Sequence, residues 1–196
     1  MKTSYIVIGV ILFILLIGGC SWTSSYNSMV SLKQDTKAKW GTVQADYQRR
    51  ADLIPNLVAT VKGVANFEKS TLEDVTNARA RATSIQVDPT KLTPETIQKF
   101  QAAQGQLTSA LSRLLVASEN YPTLRANDNF TALQAQIEGT ENRIKVSRMD
   151  FNTSVQAYDT KILSFPASIV ANLGGFKEMG YFQADAASAT APKVQF

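Results

Sequence analysis

Residues 49–63 read RRADLIPNLVATVKG, and the role of Pro55 in that stretch decides how many helices the chain has. On its N-terminal side Tyr26, Met29, Trp40, Val43, Tyr47 and Ile54 recur at alternating steps of three and four, with Lys33, Thr36 and Arg50 in the remaining seam positions. That spacing is one face of an amphipathic helix. On its C-terminal side Leu57, Val58, Val61, Val64, Ala65, Leu72, Val75 and Ala78 resume the pattern, which runs to about residue 83. Proline lacks an amide hydrogen and its ring clashes with the carbonyl four residues earlier, so a turn or a strong kink is expected at residues 53–56. A turn gives four long helices, whereas a kink gives three.

Downstream punctuation is plainer. Residues 84–92 have turn composition, and Thr93-Pro94-Glu95 supplies a capping hydroxyl, a proline at the first helical position and an acid in the first turn. The third helix follows, with seam Ile97, Phe100, Leu107, Leu111 and Leu114, and ends before Pro122. Cap residues at 127–129 open a long last helix with seam Phe130, Leu133, Ile137, Ile144, Phe151, Val155, Tyr158 and Ile162, stopped by Pro166. Helices of these lengths on short loops bury their stripes by packing antiparallel. The expected fold class is therefore all-α: an antiparallel up-and-down four-helix bundle over residues 23–182, with three long helices if Pro55 only kinks.

Residues 165–182, FPASIVANLGGFKEMGYF, are apolar but broken by Pro166, Gly174, Gly175 and Gly180, and read as a cap strapped over one end of the bundle. The alternative is an interfacial membrane segment. Residues 183–196 are small and polar for most of their length, and a flexible tail is expected there.

A different signal opens the chain. Between Lys2 and Lys33 there is no charge, and residues 5–17 read YIVIGVILFILLI. As a helix residues 5–22 would extend roughly 26 Å, close to the ~30 Å of bilayer hydrocarbon. Residues 1–22 are thus expected to be a membrane anchor. The alternative is a lipoprotein signal, because Ile17-Gly18-Gly19-Cys20 resembles a bacterial lipobox and would leave Cys20 lipidated. The lipobox reading puts the body outside the cytoplasmic membrane; the spanning reading allows either side.

Histidine is absent and Cys20 is the only cysteine, which removes the usual ligands of zinc, iron and copper and excludes Ser-His-Asp and Cys-His catalysis. No cofactor or metal is expected. The net charge of +4 comes from basic residues interspersed with acids, without the basic, aromatic-laced face of a nucleic-acid binder, so no nucleic-acid partner is expected.

The densest polar stretch, EGTENRI at 138–144, sits on the last helix. Thr140 and Glu141 fall between the seam positions Ile137 and Ile144, Glu68 between Ala65 and Leu72, and Arg50 between Tyr47 and Ile54. A core-facing carboxylate must be neutral, paired or hydrogen-bonded. The expectation is a structural polar cluster of Arg50, Glu68 and Glu141, with Asn56 and Asn142 as hydrogen-bond partners and Gly139 admitting a nearby backbone. A hydrolase using Glu138 and Glu141 as acid and base is the catalytic alternative, although neighbours on one helical turn do not oppose each other across a cleft.

Three stretches together, RRADLIPNLVATVKG at 49–63, EGTENRI at 138–144 and SFPASIVANLGGFK at 164–177 with Tyr181 and Phe182, resemble the LemA family over roughly residues 26–196. The resemblance implies a bacterial single-anchor membrane protein with a helical-bundle body and no established biochemical activity; some relatives are associated with magnetosome membranes. Cys20 in its lipobox-like setting departs from the plain spanning anchor. The expected function is a non-enzymatic membrane-anchored scaffold or adaptor in the cell envelope, with membrane remodelling or oligomerisation through residues 165–182 as the alternative. Partners are the membrane and unnamed proteins, and the helix faces also offer homo-oligomer contacts.

Overall fold

The computed structural model describes residues 2–64 and 67–184, with backbone alone at residues 2–8, 10, 11 and 14. The described residues form six helices and no strand: α1 (Lys2–Lys62), α2 (Lys69–Ser84), α3 (Pro94–Ser118), α4 (Pro122–Arg125), α5 (Asp128–Leu163) and α6 (Ala167–Gly174). The expected tail falls mostly outside them.

Four long helices are present, but the break is not at Pro55. Helix α1 continues through it to Lys62, and Leu57 and Val61 are core residues of α1 rather than of a second helix. Pro55 is tolerated because it sits on the exposed side and because the carbonyl its missing amide would have bonded, that of Ala51, accepts a hydrogen bond from Arg79 Nε of α2 at 2.7 Å. Gly63 follows the last turn, where the Val64 amide bonds the Val61 carbonyl at 3.0 Å, and the next helix starts at Lys69. Later boundaries agree with the sequence signals. The Thr93 hydroxyl accepts from the Thr96 amide, and the Asn127 side chain accepts from the amides of Asn129 and Phe130.

Pairings along the helices give the up-and-down order. Helix α5 runs antiparallel to α1, with Lys39 facing Asp150 at 3.7 Å and Arg50 facing Glu141. Helix α2 runs antiparallel to α3, since Arg113 meets Asp74 at 3.5 Å while Gln104 reaches the Ala82 carbonyl at 3.3 Å. Two apolar clusters fill the interior. One joins Ile54, Leu57 and Val61 of α1 to Leu72 and Val75 of α2, Leu107, Leu111 and Leu114 of α3, and Phe130 and Ile137 of α5. The other joins Met29, Trp40, Val43 and Tyr47 to Ile97, Phe100, Ile144, Phe151, Val155 and Tyr158.

Helix α2 is only 16 residues long and contributes nothing to the second cluster. The 85–92 connection and the C-terminal strap fill its place, through Val87, Leu92, Met179 and Phe182. Phe182 stacks on Trp40 at 5.9 Å between ring centroids and meets Phe151 edge-on at 5.6 Å. Such pairs add about 0.5–1.5 kcal/mol each beyond area burial. Side chains on two helices tie the strap's backbone down. Asn152 both donates to the Phe182 carbonyl and accepts from its amide, Gln101 does the same for Gln183, and Asp159 accepts from the Met179 amide. Where the strap crosses the start of α3, Gly180 donates to the Leu92 carbonyl, and a Cβ there would lie 2.7 Å from Pro94 Cα. Only glycine fits that crossing.

Among the described residues no helix is long and apolar enough to cross a membrane. The expected anchor lies on residues 1–22, whose first residue and several side chains fall outside the description. Within it Leu12, Phe13, Leu15, Leu16 and Ile17 are all more than half exposed.

Candidate functional site

Between the two apolar clusters lies a polar layer centred on Arg50, which is 1% exposed. Its position follows from the seams. Arg50 separates Tyr47 from Ile54 on α1, Gln104 separates Phe100 from Leu107 on α3, and Thr140 and Glu141 separate Ile137 from Ile144 on α5. One guanidinium nitrogen of Arg50 bonds the Glu141 carboxylate and the Thr108 hydroxyl, the latter at 2.8 Å. The other donates to Gln104 Oε1 at 2.6 Å. The Gln104 amide passes the connection on to the Ala82 carbonyl of α2, so the layer joins all four long helices. Tyr47 lies under the guanidinium, 5.0 Å from ring centroid to Cζ, and burial pushes the Tyr47 phenol above its ordinary value.

The layer differs from the sequence expectation in its membership. Glu68 is not on the core face of a second helix: it is the exposed residue that precedes α2, where it accepts from the Thr71 hydroxyl at 3.3 Å. That displacement follows from the late break, because Glu68 lies between the end of α1 at Lys62 and the start of α2 at Lys69 and so has no helical phase of the kind assumed for it. Asn56 and Asn142 are exposed on the outer faces of α1 and α5. Gly139 has no heavy atom near an added Cβ, so no close backbone approach explains it. Gln104 and Thr108, which do hold Arg50, are polar residues where α3 needs core or near-core positions; the gap in the apolar seam between Phe100 and Leu107 was the signal for Gln104.

Glu138 and Glu141 do not converge. Glu138 is exposed and accepts from Gln134 at 3.0 Å, while Glu141 turns inward to Arg50. Two open grooves flank the layer, one of 330 Å³ beside Tyr47, Ala82, Phe100 and Gln104, the other of 390 Å³ beside Glu141, Arg148, Asn152 and Phe182. Neither sets a second carboxylate opposite Glu141. Among the described residues no three His, Cys, Asp or Glu side chains gather as a metal site. The layer's chemistry is that of a clamp.

A second polar contact was not legible in the sequence. Asp159, buried at 6% exposure on α5, accepts from the Met179 amide and bonds Tyr181, and burial raises its carboxyl above the ordinary range. The adjacent Tyr158 hydroxyl donates to the Lys177 carbonyl at 3.0 Å.

A four-helix body with a buried arginine clamp and a C-terminal strap defines a helical-bundle protein of a specific kind. The model of the LemA family matches residues 39–196, and the chain belongs to that family. It is similar to the magnetosome protein MamQ 2 of Paramagnetospirillum magneticum, 27% identical over 175 residues covering 81% of this chain and 64% of the relative. MamQ of Magnetospirillum gryphiswaldense is 27% identical over 174 residues, covering 80% and 64%. Protein LemA of Metamycoplasma hominis is 26% identical over 142 residues, covering 72% and 61%. The chain thus spans less than two thirds of the length of these relatives, and none of their names states an enzymatic activity.

Proposed function

We propose that the protein is a non-enzymatic scaffold or adaptor held in a bacterial envelope membrane by the first part of α1, with the bundle as the body presented to partner proteins. The observation that carries this reading is the continuity of α1: a helix whose apolar side chains at 12, 13 and 15–17 are more than half exposed passes without a break into the bundle core. Apolar side chains exposed on successive residues need a non-aqueous neighbour. The pairing of Glu141 with the buried Arg50 guanidinium supports a structural rather than a catalytic role for the most polar stretch. A hydrolase is the least supported reading, because Glu138 is bonded on the outer face and Glu141 is engaged by Arg50.

The test is the intact mass of the protein extracted from its native membrane, followed by protease protection. A full-length mass with alkali-resistant membrane association supports a retained helical anchor. A chain shortened to Cys20 and carrying acyl groups replaces that anchor by a lipid and puts the body outside the cytoplasmic membrane. Full-length protein in the soluble fraction overturns membrane anchoring.

A further inference from the structure

Helix α6 has two apolar faces and only one is covered. Ala167, Val170 and Ala171 are buried against α1 and α5, whereas Ile169 and Leu173 are 50% and 74% exposed. Immediately before the helix Leu163 and Phe165 are 60% and 83% exposed. Ile169 and Leu173, four residues apart, lie on one side of α6, and Phe165 is exposed in the turn that leads into it. The patch cannot turn inward, because the opposite face is locked in the core and Gly175, at a φ of 70°, ends the helix against Phe176.

The location of the patch selects its occupant. Phe176 packs on Tyr26 of α1 with ring centroids 5.3 Å apart, so α6 lies beside the point where α1 leaves the bundle toward its apolar N-terminal residues. Trp22, one turn before Tyr26, is itself partly exposed. Charge points the same way: residues 1–34 and 160–177 contain no carboxylate, while Lys33, Lys161 and Lys177 lie in or beside them. Exposed aromatic and aliphatic side chains with lysines beside them, and the nearest exposed carboxylate beyond Lys177 at Glu178, suit a bilayer surface with anionic headgroups, the chemistry of interfacial helices.

We propose that the Leu163, Phe165, Ile169 and Leu173 face is a second membrane contact, on which the bundle rests against an anionic bilayer beside its own anchor. The contact deepens the anchored reading above and rests on it. It would fix the tilt of the bundle, which a single helix leaves free.

The experiment uses the full-length chain with Cys20→Ser and Leu173→Cys, carrying a fluorophore at residue 173, reconstituted into vesicles of phosphatidylcholine and phosphatidylglycerol with brominated acyl chains. Flotation reads the anchor; quenching reads the patch. A side chain about 5–10 Å into the headgroup boundary is within reach of the bromines, so a loss of about half the emission is expected. A label at Val116→Cys, an exposed residue near the opposite end of the bundle, should keep its emission. Weaker quenching in vesicles of phosphatidylcholine alone supports the anionic preference, and equal quenching overturns it. Protein that floats with an unquenched label at residue 173 overturns the patch and leaves the anchor standing. Energy transfer between labelled copies without bromine quenching overturns it in favour of a second copy. Protein that does not float overturns the anchored reading, and the patch with it.

Discussion

Arg50 is held by Glu141, Gln104 and Thr108 from two other helices, and the cost of removing it follows from what those partners lose. Breaking a buried pair leaves groups desolvated and unsatisfied. Because the Glu141 side chain is 37% exposed it can rehydrate, so most of the penalty falls on Gln104 and on the space the guanidinium filled. Arg50→Met should therefore destabilise by about 3 kcal/mol, lowering Tm by roughly 10 °C. Unchanged melting would mean the clamp contributes nothing. Asp159 makes a different prediction. Its folded-state pKa is raised, chiefly by burial, so the folded chain holds the proton to higher pH than the unfolded one. The associated stabilisation is fully present below the ordinary value of 3.8 and is lost as pH rises through the raised folded value. Asp159→Asn keeps an acceptor for Met179 without titrating, so the variant should gain on the parent as urea midpoints are followed from acid to neutral pH. Parallel curves would count against it. Asp159→Ala, which leaves the buried Met179 amide unpaired, should cost about 1–3 kcal/mol at either pH.

At the scale of elements, Pro55 links two helices by what it lacks. Its missing amide frees the Ala51 carbonyl for Arg79 of α2, so the proline and the arginine should be coupled. In the parent Arg79→Ala should cost about 1.5–3 kcal/mol, the range for a hydrogen bond from a charged donor. With Pro55→Ala the helix bond is restored and the same change should cost less, a coupling on the order of 1 kcal/mol in a double-mutant cycle. Additive effects would sink the link. The same residue shows where sequence reading stopped. The apolar period through Tyr47, Ile54, Leu57 and Val61 stays in phase across Pro55, and that phase was the better guide than the proline, since one lost helix bond on an exposed face can be replaced by a tertiary one. Helix starts at Thr93 and Asn127 were legible because capping is local chemistry. Arg50 and Glu141 could be found from their seam positions, but Glu68 was misplaced with the turn. The strap was legible as apolar and glycine-broken, yet its anchors Gln101, Asn152 and Asp159 were not, since contacts 20 to 82 residues apart leave no local pattern.

Across the whole molecule, the bundle is two apolar halves of unequal construction joined at the Arg50 layer. One is closed by α2, the other by a connection and the strap, which compensate for the 16-residue length of α2. Composition and periodicity give the all-helical class, but not this division, which depends on how far the short helix reaches. The unbroken run of α1 has a further consequence, that the N-terminal segment and the bundle are geared together. With no hinge between Ile17 and Met29, adding one alanine after Ser24 should rotate everything beyond it by about 100° and displace it by about 1.5 Å along the axis, whereas seven alanines, close to two full turns, should bring the bundle back nearly to its original bearing. Accessibility of a label at residue 173 to a water-soluble quencher in vesicles should then oscillate with the phase of the insertion, on top of a steady rise from the lift of about 1.5 Å per added residue. A steady rise without the oscillation would mean that the shaft slips. On the anchored reading proposed above, such a protein has a compass direction relative to the membrane, and any surface it offers to a partner is offered on one bearing.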